Sequence, residues 1–255
     1  MAIRRMLYGY MLERHGSRGT EQVRLHLYHE CGCVGKPSMK KGSGPIPDFF
    51  VQRRPHQGMT PMEYRRHLEV ETAKTRRAAP EDLDDHSRYL PLNLQRTIRI
   101  ERKHVAPARV AAAAAAIRKP QLWMVLTEPW CGDSAQNLPY ICKIAGCNPR
   151  IDLRILLRDQ NLDIMDRYLT HGTRSIPKLV AFDESGMERF QWGPRPQAAV
   201  EVFRSWKEAG AAPEVVRLKL HLWYARDHGR ALEEEFIVLL GSPEPAAVPS
   251  AGTDC

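Results

Sequence analysis

Hydrophobic and polar positions alternate with a spacing that changes along the chain, and each change predicts a different element. The run QLWMVLTE, residues 121–128, is almost continuously apolar, which is typical of a buried strand. Shorter apolar patterns predict a second strand over 150–159 and a hairpin formed by 176–183 and 187–193. Helical spacing fills the intervals 134–146, 161–172 and 196–208. This order of elements favours an α/β fold in which helices flank a mixed central sheet.

Further helices are predicted on both sides of this core. Thr60 and Glu63 have the spacing of a capping box, and Pro61 suits the first turn of a helix. Two more helical patterns, 91–105 and 110–117, complete an N-terminal helical extension over 59–120. After the core, 121–209, one long helix is expected within a C-terminal extension over 210–241.

The two ends of the chain have a different composition. Residues 36–58 are rich in Gly, Pro and basic side chains and show no regular spacing. Because Met59 directly precedes the first capping box, we expect residues 1–58 to be disordered or a non-native upstream extension. The Pro- and Ala-rich segment 242–255 is expected to be a flexible tail.

Charge and composition exclude several classes of function. The formal net charge is +8, but ten basic and four acidic residues within 1–58 account for +6 of it, so nucleic acid is not an expected partner. The longest apolar run, 110–117, is far shorter than the ~20 residues of a membrane span, so no membrane is expected either. Six irregularly spaced cysteines do not form a disulfide framework and predict a reducing, cytoplasmic location.

Cys131 is the candidate for chemistry, because it falls where the first strand gives way to a helix. The unpaired N–H groups and the dipole of a helix N-terminus stabilise a thiolate and lower the pKa of the thiol. The carboxylate of Asp133, two residues further on, opposes this effect. The sequence leaves open which of the two dominates.

Several motifs around Cys131 resemble those of the thioredoxins. The matching positions are Trp130, Cys131, Gly132, Pro139, Ile176, Pro177 and Gly193. The resemblance covers residues 121–209 and implies a thioredoxin-like fold, with a cis peptide before Pro177 that faces Cys131. A closer resemblance over 59–240 includes NLQR, WCGDSAQNLP, WGPRP and LHLWYARD, and is to a bacterial group known only as thioredoxin family proteins.

The chain departs from the thioredoxin pattern at the resolving step. Ser134 occupies the position of the second cysteine, and Val125 the position of a buried aspartate. Cys142 lies eleven helical residues beyond Cys131, about 16 Å away, whereas bridged cysteines need Cα atoms within about 7 Å. We therefore expect monothiol behaviour, in which glutathione or a partner thiol clears any disulfide formed by Cys131. Ser134 is expected to be a first-turn hydroxyl rather than a nucleophile.

Two functions follow from this pattern and both stay open. The first is thiol–disulfide exchange or redox sensing through Cys131. The second is a non-catalytic module that binds a peptide or protein at the Pro177 face, where the backbone of Ile176 is free to pair with an extended chain. Arg195 is expected to approach Cys131 or Asp133, and Trp130 and Trp192 are expected to flank the same face.

Neither function needs a metal or another cofactor. The sequence CGDS is reminiscent of an iron–sulfur monothiol site, but Asp133 replaces an expected phenylalanine there, and the Gly-rich segment expected after the proline is absent. A set of possible metal ligands, His26, His29, Cys31 and Cys33, lacks the second ligand pair that a zinc site requires.

Overall fold

A computed structural model describes residues 45–79 and 83–241. Four strands form one sheet: β1 (Gln121–Thr127), β2 (Ile151–Leu157), β3 (Lys178–Asp183) and β4 (Glu188–Trp192). Their order is β2-β1-β3-β4; β1 runs parallel to β2 and antiparallel to β3, and β4 is antiparallel to β3. The expected mixed sheet of an α/β, thioredoxin-like fold is confirmed.

The described residues also contain nine α-helices: α1 (Asp48–Val51), α2 (Pro61–Arg77), α3 (Leu90–Lys103), α4 (Ala108–Ala115), α5 (Gly132–Ala145), α6 (Leu162–Met165), α7 (Gln197–Glu208), α8 (Pro213–Asp227) and α9 (Arg230–Gly241). Alternate residues of β1 point to opposite faces, so Trp123 belongs to one apolar core and Met124 to the other. The first core contains α4, α5 and α9, and the second contains α6 and the side chain of Cys131. Across the described residues, no helix combines the length and the apolar character that crossing a membrane requires.

Helix α2 begins as its capping box predicts. The Glu63 N–H donates to the Thr60 hydroxyl at 3.3 Å, and the Thr60 N–H donates to the Glu63 carboxylate at 2.8 Å. Pro61 occupies the first turn, where its missing N–H costs no hydrogen bond. Local chemistry alone therefore fixes the start of this helix.

The folded region starts earlier than the expected position, Met59. Helix α1 buries Phe49, whose ring meets those of Tyr168 and Phe182 edge-on at 6.2 Å in both cases. Met59 then exchanges two backbone hydrogen bonds of 2.8 Å with Ile155 of β2. The expectation of disorder is wrong for residues 48–57, because burial of one aromatic ring in the core anchors a segment of otherwise loop-like composition.

The expectation of a single long C-terminal helix is also wrong, because α8 and α9 are separate helices. Between them His228 and Gly229 have φ of 58° and 85°, in the left-handed region that interrupts a helix. A Cβ atom at Gly229 would lie 2.5 Å from Cε1 of Tyr140, so a close approach to α5 requires glycine there. The Asp227 carboxylate then accepts from the Ala231 N–H at 3.2 Å at the start of α9.

The helix expected over 161–172 is one turn long, α6. After it, Arg167 and Tyr168 donate to the carbonyls of Ile164 and Met165, three residues earlier, which tightens the chain into turns. Tyr168 is buried and its hydroxyl donates to Glu188 at 2.7 Å. Packing of this tyrosine ends the helix early.

Several expectations lie outside the described residues. These are the character of residues 1–44, which include His26, His29, Cys31 and Cys33, and that of the tail 242–255.

Candidate functional site

Cys131 caps the N-terminus of α5, directly after the chain leaves β1. Its Sγ accepts a hydrogen bond from the Ser134 N–H at 3.4 Å, and its thiol donates to the Ile176 carbonyl at 3.3 Å. The residue is only 7% exposed. The thiol is thus held between the first turn of a helix and the loop that precedes β3.

Burial decides the ionisation of this thiol. Desolvation, followed by the carboxylate of Asp133, raises the pKa of Cys131 from 9.0 to about 11, and the hydrogen bonds from Ser134 only partly oppose them. The lowering of the thiol pKa expected from the helix N-terminus is therefore outweighed. At neutral pH Cys131 is a protonated thiol, which is the form that donates to Ile176.

Arg195 reaches Asp133 and forms an ion pair with it. Arg195 Nη2 lies 2.6 Å from Asp133 Oδ2, and both side chains are largely buried. Burial lowers the pKa of Arg195, but Asp133 more than compensates, so the pKa is raised overall. The Tyr224 hydroxyl donates to Asp133 at 2.8 Å and accepts from Asn137 at 3.1 Å, which ties α8 to α5.

The loop between β4 and α7 packs tightly against Pro177. The Ile176–Pro177 peptide is cis, and so is Gly193–Pro194. Gly193 has φ of 109°, and a Cβ atom there would lie 2.1 Å from the Pro177 carbonyl oxygen, so only glycine fits. Among the described residues, the Ile176 N–H has no hydrogen-bond acceptor.

Ser134 is structural, as its position in the first turn predicts. It is 2% exposed, and its hydroxyl accepts from the Thr127 hydroxyl at 2.5 Å, behind Cys131. Val125 is fully buried in the core on the other face of the sheet. Within the described part of the chain Cys131, Cys142 and Cys147 are free thiols, and burial raises the pKa of Cys142 to about 12.

The two tryptophans expected to flank Cys131 differ in position. Trp130 does so: its ring stacks on His86 at 4.2 Å, and the Arg158 guanidinium lies 4.9 Å from its centre. Trp192 does not, because it is buried in the core on the opposite face and its Nε1 donates to Glu235 at 2.6 Å.

A cleft of about 1140 Å³ opens beside Cys131. Of the residues chosen from the sequence, those that line it are Trp130, Cys131, Gly132, Asp133, Ile176 and Arg195. Helices α3, α7 and α8 supply further walls, so both helical extensions help to build the cleft. A ligand in the cleft would meet the thiol of Cys131 on one wall.

Among the cleft residues that were not selected from the sequence are Arg96 on α3 and His221 on α8. Both fall inside segments of the closer family resemblance, NLQR and LHLWYARD, and that resemblance was the signal that could have identified them. Over residues 45–79 and 83–241, no group of three or more His, Cys, Asp or Glu side chains is arranged to hold a metal ion.

Comparisons with known proteins found two solved structures of low similarity and one family model. A protein of unknown function from Pseudomonas aeruginosa is 21% identical, with a TM-score of 0.45 over 59% of this chain and 82% of that one. An HIV epitope-scaffold protein is 18% identical, with a TM-score of 0.45 over 60% of this chain and 87% of its own. No curated protein matches the sequence. The sequence model of the family described as thioredoxin matches residues 81–207, and the chain is therefore a thioredoxin family protein.

Proposed function

We propose that this protein is a thioredoxin-fold binding module, in which Cys131 is a hydrogen-bonding thiol rather than a resting nucleophile. One observation carries the proposal: the buried thiol donates to the Ile176 carbonyl, and its pKa is about 11. The thiolate is the nucleophile in thiol chemistry. Because the pKa of Cys131 is about 11 in place of 9.0, its thiolate fraction at neutral pH is about one hundredth of that of a thiol with the ordinary pKa.

The ligand occupies the cleft between Cys131 and the Pro177 loop. The unpaired Ile176 N–H offers one backbone donor to it, as an extended peptide or the amide of a small molecule would require. Trp130 adds an aromatic wall that is already ordered by His86 and Arg158. These groups are in place before a ligand arrives, which reduces the entropy cost of binding.

Monothiol exchange is the second candidate, favoured by the place of Cys131 among the residues that line the cleft. In this reaction the Cys131 thiolate attacks a disulfide, a mixed disulfide forms, and one thiolate leaves. A second thiolate, such as that of glutathione, then attacks the substrate sulfur of the mixed disulfide, forms a new disulfide with it and releases the Cys131 thiolate. The cytoplasmic location stays a prediction that suits either function.

Alkylation of Cys131 separates the two functions. Its rate with iodoacetamide is measured between pH 6 and pH 10 by peptide mass spectrometry, with Cys147 in the same digest as an internal reference. The binding function predicts slow alkylation at neutral pH that still rises at the alkaline end, and equal glutathione-linked disulfide reduction by the native protein and Cys131→Ser. A rate that levels off below pH 8, with turnover lost in Cys131→Ser, would establish the exchange function instead.

A further inference from the structure

More cationic than acidic side chains line the cleft beside Cys131. Six cationic and two acidic side chains line it: Arg96, Arg158, Arg174, Arg195, Lys207 and Arg217, with Asp85 and Asp133. Both acids already have cationic partners, since Arg195 binds Asp133 at 2.6 Å and Arg88 lies 3.2 Å from Asp85. Three of the remaining cations are also paired, since Arg158, Arg174 and Arg217 form ion pairs with Asp159, Asp166 and Glu214. Arg96 and Lys207 are the two cations of the lining with which no carboxylate of the described residues forms an ion pair.

Of these two cations, Arg96 is the more deeply buried. Its Nη1 donates to the Asn93 side chain at 3.2 Å, and no carboxylate of residues 45–79 or 83–241 forms an ion pair with it. Burial, followed by the charge of Arg99, lowers the pKa of Arg96 to about 10, with only Asp133 acting in the opposite direction. A half-buried guanidinium without a carboxylate partner is costly, and an anionic ligand would remove that cost.

His221 converges on the same point from α8. A Cβ atom built on Gly132 would lie 3.1 Å from His221 Cε1 and 3.6 Å from Arg96 Nη1, so both side chains border the first residue of α5. The Nδ1 atom of His221 is buried and has no hydrogen-bond partner within the described residues. Burial and then the guanidinium groups of Arg96, Arg217 and Arg195 lower the pKa of His221 to about 4, so this imidazole is neutral at pH 7.

We infer that the cleft binds a small molecule through a carboxylate or phosphate group held by Arg96 and His221 beside Gly132. The inference rests on the proposed binding function and specifies its ligand. The planar fork of a guanidinium suits both acid groups, and a neutral imidazole adds one N–H donor. The cleft volume of about 1140 Å³ is slightly above the range of small-molecule sites, roughly 300–1,000 Å³, so a small molecule fits.

Isothermal titration calorimetry on the full chain tests the inference. Sodium succinate and sodium phosphate are the two probes, each compared with sodium chloride at the same ionic strength. We expect saturable binding of at least one probe, and the probe that binds more tightly identifies the acid group as carboxylate or phosphate.

Two variants assign the binding to Arg96. Arg96→Gln should weaken binding at least about tenfold, because it removes a charge-assisted hydrogen bond. Arg102→Gln is the matched control, since Arg102 is exposed on the same helix outside the cleft and carries the same charge change. Arg96→Lys keeps the positive charge but loses the paired donors of the guanidinium group, so it should weaken binding less than Arg96→Gln. If Arg96→Gln does not fold, Arg96→Lys is compared with the native protein instead.

Three results would overturn the inference. The first is no saturable binding of either probe by the native protein. The second is equal weakening by Arg96→Gln and Arg102→Gln. The third is binding of an acidic peptide, polyglutamate, when neither small probe binds. The alkylation rate of Cys131 does not depend on whether these probes bind, so the alkylation assay tests the proposed function separately.

Discussion

Replacing Asp133 with Asn should make Cys131 more reactive. The Asp133 carboxylate is the second largest cause of the raised pKa of Cys131, and burial, the largest, is unchanged by the substitution. The substitution also leaves the guanidinium of Arg195 without its partner at 2.6 Å, and the freed positive charge favours the thiolate. We expect the pKa of Cys131 to fall by about one, which corresponds to about 1.4 kcal/mol and to a rise of about tenfold in thiolate at neutral pH.

The same substitution should cost stability. Asp133 and Arg195 are largely buried, with side-chain exposures of 12% and 23%, and removing one partner leaves an uncompensated charge. Asn keeps an acceptor for the Tyr224 hydroxyl, so we expect a loss of about 2–4 kcal/mol in the free energy of unfolding, measured in urea.

The assay is the second-order rate of Cys131 alkylation by iodoacetamide at pH 7, resolved by peptide mass spectrometry. Asp85→Asn is the matched control, because Asp85 lines the same cleft but its side chain is 90% exposed, and its rate should equal that of the native protein. An unchanged or slower rate in folded Asp133→Asn would refute the argument that Asp133 holds the thiol protonated.

Three substitutions test the packing that forms the site. Gly193→Ala should lower the free energy of unfolding by more than about 3 kcal/mol in urea, because its Cβ would lie 2.1 Å from the Pro177 carbonyl oxygen; a loss below 1 kcal/mol would show that the loop yields. Thr60→Ala, with Glu63 kept, should lower the free energy of unfolding by about 1 kcal/mol in the same measurement. An unchanged free energy would mean that the Thr60 side chain does not stabilise the start of α2. Phe49→Ala should cost about 3–5 kcal/mol, whereas a neutral result would mean that Phe49 does not anchor residues 48–57 to the core.

The elements that the sequence predicted well depend on local chemistry. The capping box of α2 needs only Thr60, Pro61 and Glu63, and short apolar runs in the sequence identified each strand of the sheet. The position of Cys131 at the first turn of α5 followed from the same patterns.

The features that were missed depend on contacts between distant parts of the chain. The break between α8 and α9 exists because Gly229 approaches Tyr140 of α5, and a glycine in a helical pattern does not reveal that approach. The ionisation of Cys131 depends on how completely the neighbouring helices bury it, which spacing does not encode. Arg96 and His221 are 125 residues apart and meet only because α3 and α8 both pack beside the start of α5.

The ionisation of Cys131 is the central claim, and ultraviolet absorbance of the thiolate measures it directly. The titration is recorded for the native protein and for Cys131→Ser, and the difference isolates the signal of this one thiol. We expect no thiolate at neutral pH and a midpoint near the pKa of about 11. A difference titration with its midpoint below pH 8 would contradict the account.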